Sequence, residues 1–447
     1  MMHPPARLAW AIWGLGSLVY LAAFFQRVAP AVMTEQLMAE FALGGAALGN
    51  LSAFYFYAYV AMQIPTGLLA DRWGPRKLLA SGTAVAALGG ALFALAPTFG
   101  LAAAGRLLVG ASVGVGFVSM LKLSSHWIAP SRFALVSGLL LMTGLIGGVF
   151  AGVPLRLAVD VFGWRHVMAA FALFTALLAV ALWLFVRDDP NERGYASHFH
   201  HDTKVPPDGR PTRQASQSDD AGSRRRVVSH GHTPILASLA EVLSYRNIWL
   251  MMLVPVGFSG AVLTFAGLWG VPWLRQVHGL DAKTAAAITS TMLVAWGIGG
   301  PLLGNWSTRS GRRKPIYFGS GLVAVLGWAA VVWLPLPLTV LVPVLAVTGF
   351  ASGNIIIGFA WAKESVPLRL MGTASGVANM GPLMGGMFLQ PAVGWMLDRQ
   401  WTGAMAGGAR IYGATAWQDG FVLLVATVAV SLVAVTLARE SYCRQTV

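Results

Sequence analysis

Apolar residues in this chain do not alternate with polar ones; they run on. Uncharged stretches span Phe41–Ala70, Leu78–Gly105, Phe133–Leu155, Val167–Val186, Ile248–Leu274, Thr284–Thr308, Pro315–Ala362, Leu370–Leu397 and Phe421–Ala438. A helical crossing of a bilayer core needs about 20 apolar residues, and most of these runs reach that length. Pro315–Ala362 holds two crossings, broken at Leu334-Pro-Leu-Pro. Leu78–Leu121 also folds into two, turning at Ala96-Pro-Thr-Phe, with Arg106 just inside its second helix. With the run around Arg27, the pattern predicts twelve spans. Lipid offers no partner to a backbone N–H or C=O, so runs of this length predict helices.

Composition agrees. Of 447 residues, 56% are hydrophobic and 11% charged, where a soluble chain carries about 25% charged. The opening MMHPPAR, followed by a long apolar run, reads as a first membrane helix rather than a cleaved signal. A net charge of +14 would suggest nucleic acid in a soluble protein. Here it follows the bias of basic residues toward cytoplasmic loops. Arg72, Arg76, Lys77, Arg132, Arg309, Arg312, Arg313, Lys314 and Arg369 fall on one side; Arg165, Arg275, Lys283, Arg399 and Arg410 fall on the other. That asymmetry places both termini in the cytoplasm and leaves membrane lipid, not nucleic acid, as the partner of the basic loops. The single cysteine, Cys443, rules out a disulfide framework or a C-x-x-C metal or redox site.

The chain is one unit written twice. GLLADRWGPRK (67–77) aligns with GNWSTRSGRRK (304–314) at an offset of 304 − 67 = 237. The same offset carries Arg72 to Arg309, Gly74 to Gly311, Pro130 to Pro367, Arg132 to Arg369, Gly144 to Gly381, Gly148 to Gly385 and Pro154 to Pro391. A register kept over so much of the chain marks an internal repeat. The expected units are an N-terminal six-helix bundle, 1–187, a cytoplasmic linker, 188–243, and a C-terminal six-helix bundle, 244–447. The linker is polar enough to be largely disordered. Its HFHHD (198–202) reads as a solvated tract rather than a metal site, and its SRRR (223–226) suits anionic headgroups.

Two six-helix halves, each with this loop after its second helix, resemble the major facilitator superfamily of secondary transporters. GRLLVGASVGVG (105–116) also resembles that superfamily's fourth-helix signature. The resemblance implies a monomeric all-α membrane carrier of two pseudo-symmetric bundles, with no enzymatic activity, metal or cofactor. It implies a conformational latch from Gly67, Asp71, Arg72 and Gly74, echoed by Arg309 and Gly311. Asp71 would face the positive N-terminal end of the eleventh helix, a favourable place for an anion. In the second half Thr308 replaces the acid, so that latch is weaker. The competing reading is that these charges only set topology.

Arg27 is the chemically costly residue. The chain is uncharged from Leu8 to Gln26 and from Val28 to Thr34. A central arginine costs roughly 2.5–3.5 kcal/mol on insertion scales and therefore faces a bundle interior or a water-filled cavity. Its planar fork matches a carboxylate bidentately. A structural ion pair or snorkelling at the outer interface are the alternatives. Lys122, in VSMLKLSSHWIAP (118–130), offers a second cation or a snorkelling one. The pair resembles the anion:cation symporter branch of the superfamily, where basic residues of helices 1 and 4 contact an organic anion. FFQRVAPAVM and SAFYFYAYVAMQIPTG (52–67) match that branch, nutrient carriers of intracellular bacteria and siderophore carriers alike. Several relatives carry Asp before the helix-1 Arg for proton coupling; this chain has Gln26, which does not titrate. Glu364 and His126 are the remaining coupling candidates, with Lys363 beside Glu364. Tyr55 and Tyr59 share a helix face, as do Trp269 and Trp273. Asn354 and Asn379 can donate to a substrate or to a neighbouring helix.

The expectation is a carrier of the bacterial inner membrane, importing a small organic anion by alternating access and driven by protons or another ion. The rivals are a carrier of a neutral or zwitterionic nutrient (amino acid or nucleoside), a siderophore or a drug, and a non-transporting sensor on the same fold.

Overall fold

The computed structural model describes residues 3–197 and 235–446; HFHHD and SRRR lie outside them. The apolar runs are helical throughout, since only helix satisfies their backbone in lipid. The first half holds α1 (Ala6–Val28), α2 (Gly45–Trp73), α3 (Pro75–Leu95), α4 (Phe99–Trp127), α5 (Phe133–Phe150) and α6 (Trp164–Phe185). The second holds α7 (Arg246–Thr264), α8 (Ala282–Arg309), α9 (Lys314–Trp333), α10 (Leu338–Ser352), α11 (Met371–Arg399) and α12 (Ala414–Leu437). Ten of these, with their continuations, are long and apolar enough to cross a bilayer among the described residues. The 29-residue helices α2 and α11 bring the long helices to twelve. They pack on each other, one from each half.

Four spans are not plain helices. α1 tightens into a 3-10 turn at Ala29–Val32. α5 breaks at Ala151 and Gly152 and resumes over Val153–Phe162. α7 loosens into a π-turn at Phe265–Trp269 before resuming as Gly270–His278. α10 breaks at Gly353 and Asn354 and resumes over Ile355–Glu364. The repeat extends to two of these features. Adding 237 to the ends of α2 gives 282 and 310, against Ala282–Arg309 for α8; adding it to Ala29–Val32 gives 266–269, against Phe265–Trp269. Single-turn π segments concentrate at functional sites, and broken spans mark the substrate region of transporters.

Both chain ends lie at one end of the bundle. The Thr446 N–H donates to the Glu364 carbonyl at the foot of α10. Here carboxylates sit on helix N-termini, where the helix dipole favours them. Asp188, after α6, accepts from the Arg76 N–H at 2.5 Å and abuts Gly74, whose φ is +78°. Burial raises the Asp188 carboxyl pKa, despite that bond. Glu440, after α12, accepts from the N–H groups of Arg313 and Lys314 at 2.9 and 2.8 Å. Arg313 is buried and pairs with Glu364 at 2.6 Å, so Glu364 is neutralised across the bundle and not by its neighbour Lys363.

The opposite, far end is closed by backbone-to-backbone contact between α2 and α11. A Cβ on Gly49 would sit 2.5 Å from the Gln390 carbonyl, and one on Gly394 2.1 Å from the Gly45 carbonyl. Toward the chain termini a Cβ on Gly372 or Gly376 of α11 would meet nothing within 4 Å. The closed end is locked by Asp398. Its carboxylate accepts from Gly45 and Ala46 N–H at 2.7 and 2.9 Å, from Arg410 at 3.0 Å and from Tyr412 at 2.8 Å. Arg410 belongs to a small hairpin, β1 (Met405–Ala406) and β2 (Ala409–Arg410). Gly407 and Gly408, both at positive φ, make its turn, as two-residue hairpins require. Glu35 and Arg275 add an ion pair between the halves nearby.

Candidate functional site

Arg27 lies near the end of α1 and is 6% exposed. Its guanidinium carbon is 4.2 Å from the Phe24 ring centroid, 5.6 Å from Tyr59 and 5.7 Å from Tyr55. The aromatic faces offset part of the burial cost by cation–π attraction, about 0.5–2 kcal/mol each. They do not use up the five N–H donors of a guanidinium. Among the described residues no carboxylate pairs with it, and Nε has no partner. Among the described residues the ionisable groups that act most on it are Tyr55, Tyr59 and Tyr20. This is neither an internal ion pair nor a side chain reaching for the interface. It is a buried cation with donors to spare.

The surroundings reach across both halves. Tyr59 is the middle residue of α2 and lies in hydrogen-bonding reach of Arg27 and of Asn379 on α11. The Tyr55 hydroxyl donates to the Ala23 carbonyl at 3.2 Å, fixing its ring beside Arg27. One neighbour of Arg27, and one residue at the repeat-equivalent position, escaped the sequence reading. Arg106 on α4 is 1% exposed and donates to the Gln26 carbonyl at 2.6 Å. It stands 5.2 Å from the Tyr55 centroid, so that ring lies beside two guanidinium groups. Thr264 is the repeat partner of Arg27 (264 − 27 = 237), and its buried hydroxyl has no partner among the described residues. The internal offset is the signal that could have found it.

The structure brings Arg27, Tyr55, Tyr59 and Asn379 together; it does not bring Lys122. Arg106 marks the height of Arg27, and Lys122 lies 122 − 106 = 16 residues further along the same helix. At 1.5 Å per residue that is about 24 Å nearer the chain termini, too far for one small anion to touch both. Trp269 donates its indole N–H to the Gln390 carbonyl at 2.9 Å and packs on Trp417. Asn354 sits at the α10 break and donates to Ser320 at 3.1 Å. His126 pairs with Asp189 at 2.9 Å at the terminal end. There Gly74 and Gly311 take positive φ, and Arg309 is exposed. The side chains of Asp71 and Arg72, and the surroundings of Gly67, lie outside the described residues.

Glu364 binds Arg313, and its second oxygen accepts from the Ser441 hydroxyl at 2.6 Å. This network ties α10 to the start of α9 and to the C-terminal tail. Breaking a buried pair costs about 3–5 kcal/mol. Glu364→Gln is therefore expected to lower the melting temperature of the purified protein while the folded fraction keeps its uptake. Unchanged melting with lost uptake would instead assign Glu364 to coupling.

Comparisons with known proteins agree with this architecture. The chain is 25% identical over 401 residues to the "Probable sulfoacetate transporter SauU" of Cupriavidus necator, covering 87% of each chain. It is 22% identical over 403 residues to a protein of Agrobacterium vitis named as a candidate tartrate transporter, covering 88% of this chain and 87% of that one. The fold superposes on a bacterial homologue of the human lysosomal transporter Spinster, solved inward-facing and unoccupied. The TM-score is 0.73, at 17% identity and 97% coverage of both chains. The sequence profile described as Major Facilitator Superfamily matches residues 15–389. With twelve long helices, broken spans and a buried central cation, the chain belongs to the major facilitator superfamily of membrane transporters.

Proposed function

We propose that this carrier imports a small organic anion across the bacterial inner membrane by alternating access, with Arg27 as the anion's anchor and Tyr55, Tyr59 and Asn379 around it. One observation carries the reading: a buried guanidinium with unused donors and no acid beside it among the described residues. A fork of charge-assisted N–H donors is the complement of a carboxylate or sulfonate. The names of relatives for sulfoacetate and tartrate fit the same chemistry. The open space beside Gly372 and Gly376 on α11 supports a mouth at the terminal end, and the bias of the basic loops supports a cytoplasmic side for it. The protein acts as a monomer in lipid. The rings of Tyr20, Tyr55 and Tyr59 beside Arg27 would also suit a neutral or zwitterionic nutrient, which is the second reading.

A thermal-shift screen of the purified carrier separates the two. A ligand at a hundred times its Kd stabilises the folded state by about 2.7 kcal/mol. Sulfoacetate and tartrate are expected to raise the melting temperature where an amino acid and a nucleoside do not. Stabilisation by the neutral compounds alone would overturn the anion reading.

A further inference from the structure

We infer that this carrier is an anion exchanger: the loaded form crosses between its two open states readily, and the empty form hardly at all. The inference rests on the organic-anion reading above and goes beyond it to the driving force.

The argument starts from where charges lie. Among the described residues no Asp or Glu is in the middle of a long helix. Asp71, Glu364 and Asp398 fall within the last three residues of their helices, and Asp419 is the sixth residue of α12. Glu35, Glu40 and Asp160 are in short helices at the far end. The histidines of the long spans are also terminal: His126, His166 and His278. Inside stand Arg27 and Arg106, 6% and 1% exposed. Among the described residues the ionisable groups acting on Arg27 are tyrosines, and Tyr55 alone acts on Arg106. The Gln26 position, adjacent to Arg27 and bonded through its carbonyl to Arg106, holds an amide and not an acid.

A proton symporter of the usual kind needs an internal group that discharges the site once the cargo has left. Among the described residues this interior has two buried cations, Arg27 and Arg106, and no carboxylate to fold onto them. To change its open side, a carrier passes through a state closed at both ends, where water is excluded. Uncompensated charge is costly there. A bound dianion cancels both cations and removes that cost; an empty site keeps it. Cargo entering on one side therefore depends on an anion leaving from the other. The charge difference acts only on the return step, which makes it visible as a ratio of two rates.

The test uses the full-length carrier in proteoliposomes, with radiolabelled sulfoacetate as the probe. Initial uptake into vesicles holding unlabelled sulfoacetate is expected to exceed uptake into vesicles holding only zwitterionic buffer by at least about tenfold, the ratio of a 1.4 kcal/mol barrier difference. An imposed inside-alkaline gradient is expected to leave the second rate unchanged. Gln26→Glu, an isosteric change that puts an acid on the residue next to Arg27, whose backbone carbonyl Arg106 bonds, is expected to bring the ratio toward one. Equal rates in loaded and empty vesicles would overturn exchange, as would accumulation driven by the proton gradient alone. Thermal stabilisation by sulfoacetate without flux in either arm would also overturn it. Neither stabilisation nor flux would overturn the organic-anion reading, and exchange with it.

Discussion

Arg27→Ala is expected to lower the uptake of an organic dianion at low concentration at least a hundredfold, while leaving the protein folded. The expectation follows from how little else holds the cargo. Hydrogen bonds to charged groups contribute about 1.5–3 kcal/mol each, and a guanidinium fork supplies two. Their joint loss is roughly 3–6 kcal/mol, or two to four powers of ten in affinity. Arg27→Lys keeps the charge and loses the planar fork, so it should fall between wild type and alanine. The melting temperature should not drop in the alanine variant, because the guanidinium is buried with no acid beside it among the described residues. Removing a charge that is costly to bury relieves the fold. Concentration-dependent uptake in proteoliposomes reads the first effect and a thermal melt the second. Wild-type affinity for the dianion in Arg27→Ala would remove Arg27 from the binding site.

Asp398→Asn is expected to release the far end. The carboxylate holds two N–H groups at the head of α2, together with Arg410 and Tyr412. It thus bonds one half of the carrier to the other across the closed end. An amide keeps the shape but gives up the charge that the helix dipole and Arg410 favour. Dipole effects reach about 2 kcal/mol in partly buried geometries, and the bond to Arg410 adds to that. A change of 2–3 kcal/mol alters the ratio of closed to open far ends by roughly 30- to 150-fold. The chain's single cysteine makes the measurement direct. In a Cys443→Ser background, Ser52→Cys puts a thiol at a position 1% exposed in the closed form. An impermeant maleimide added from the far side should label it slowly in the parent and many times faster with Asp398→Asn. Equal labelling rates would show that Asp398 does not hold this end shut.

Much of the fold was legible along the chain, because lipid enforces one rule on every span. Runs such as Ile248–Leu274 and Phe421–Ala438 could only be helices, and the 237-residue offset was visible in GLLADRWGPRK and GNWSTRSGRRK. What was not legible depends on the height and phase of one helix against another. Lys122 and Arg106 lie on the same helix, yet only the second bonds the Gln26 carbonyl next to Arg27 and shares its Tyr55 ring; nothing within α4 says which of its heights meets Arg27. Arg410 and Arg313 read as loop charges of no particular consequence. Each turns out to meet a carboxylate that is remote in sequence or brought close by a turn, Asp398 or Glu364. The π-turn of α7 carries no composition of its own. It was accessible only as the repeat image of the 3-10 turn after Arg27.

The two bundles share a blueprint but not a duty. Where the first offers Arg27, the second offers Thr264, so on the proposed function the passenger's negative charge would be gripped from one side only. During a crossing it should travel as luggage of the first bundle, while the second swings past like a door. Lesions in the door would then alter how often passengers cross, and lesions in the grip would alter which passengers board.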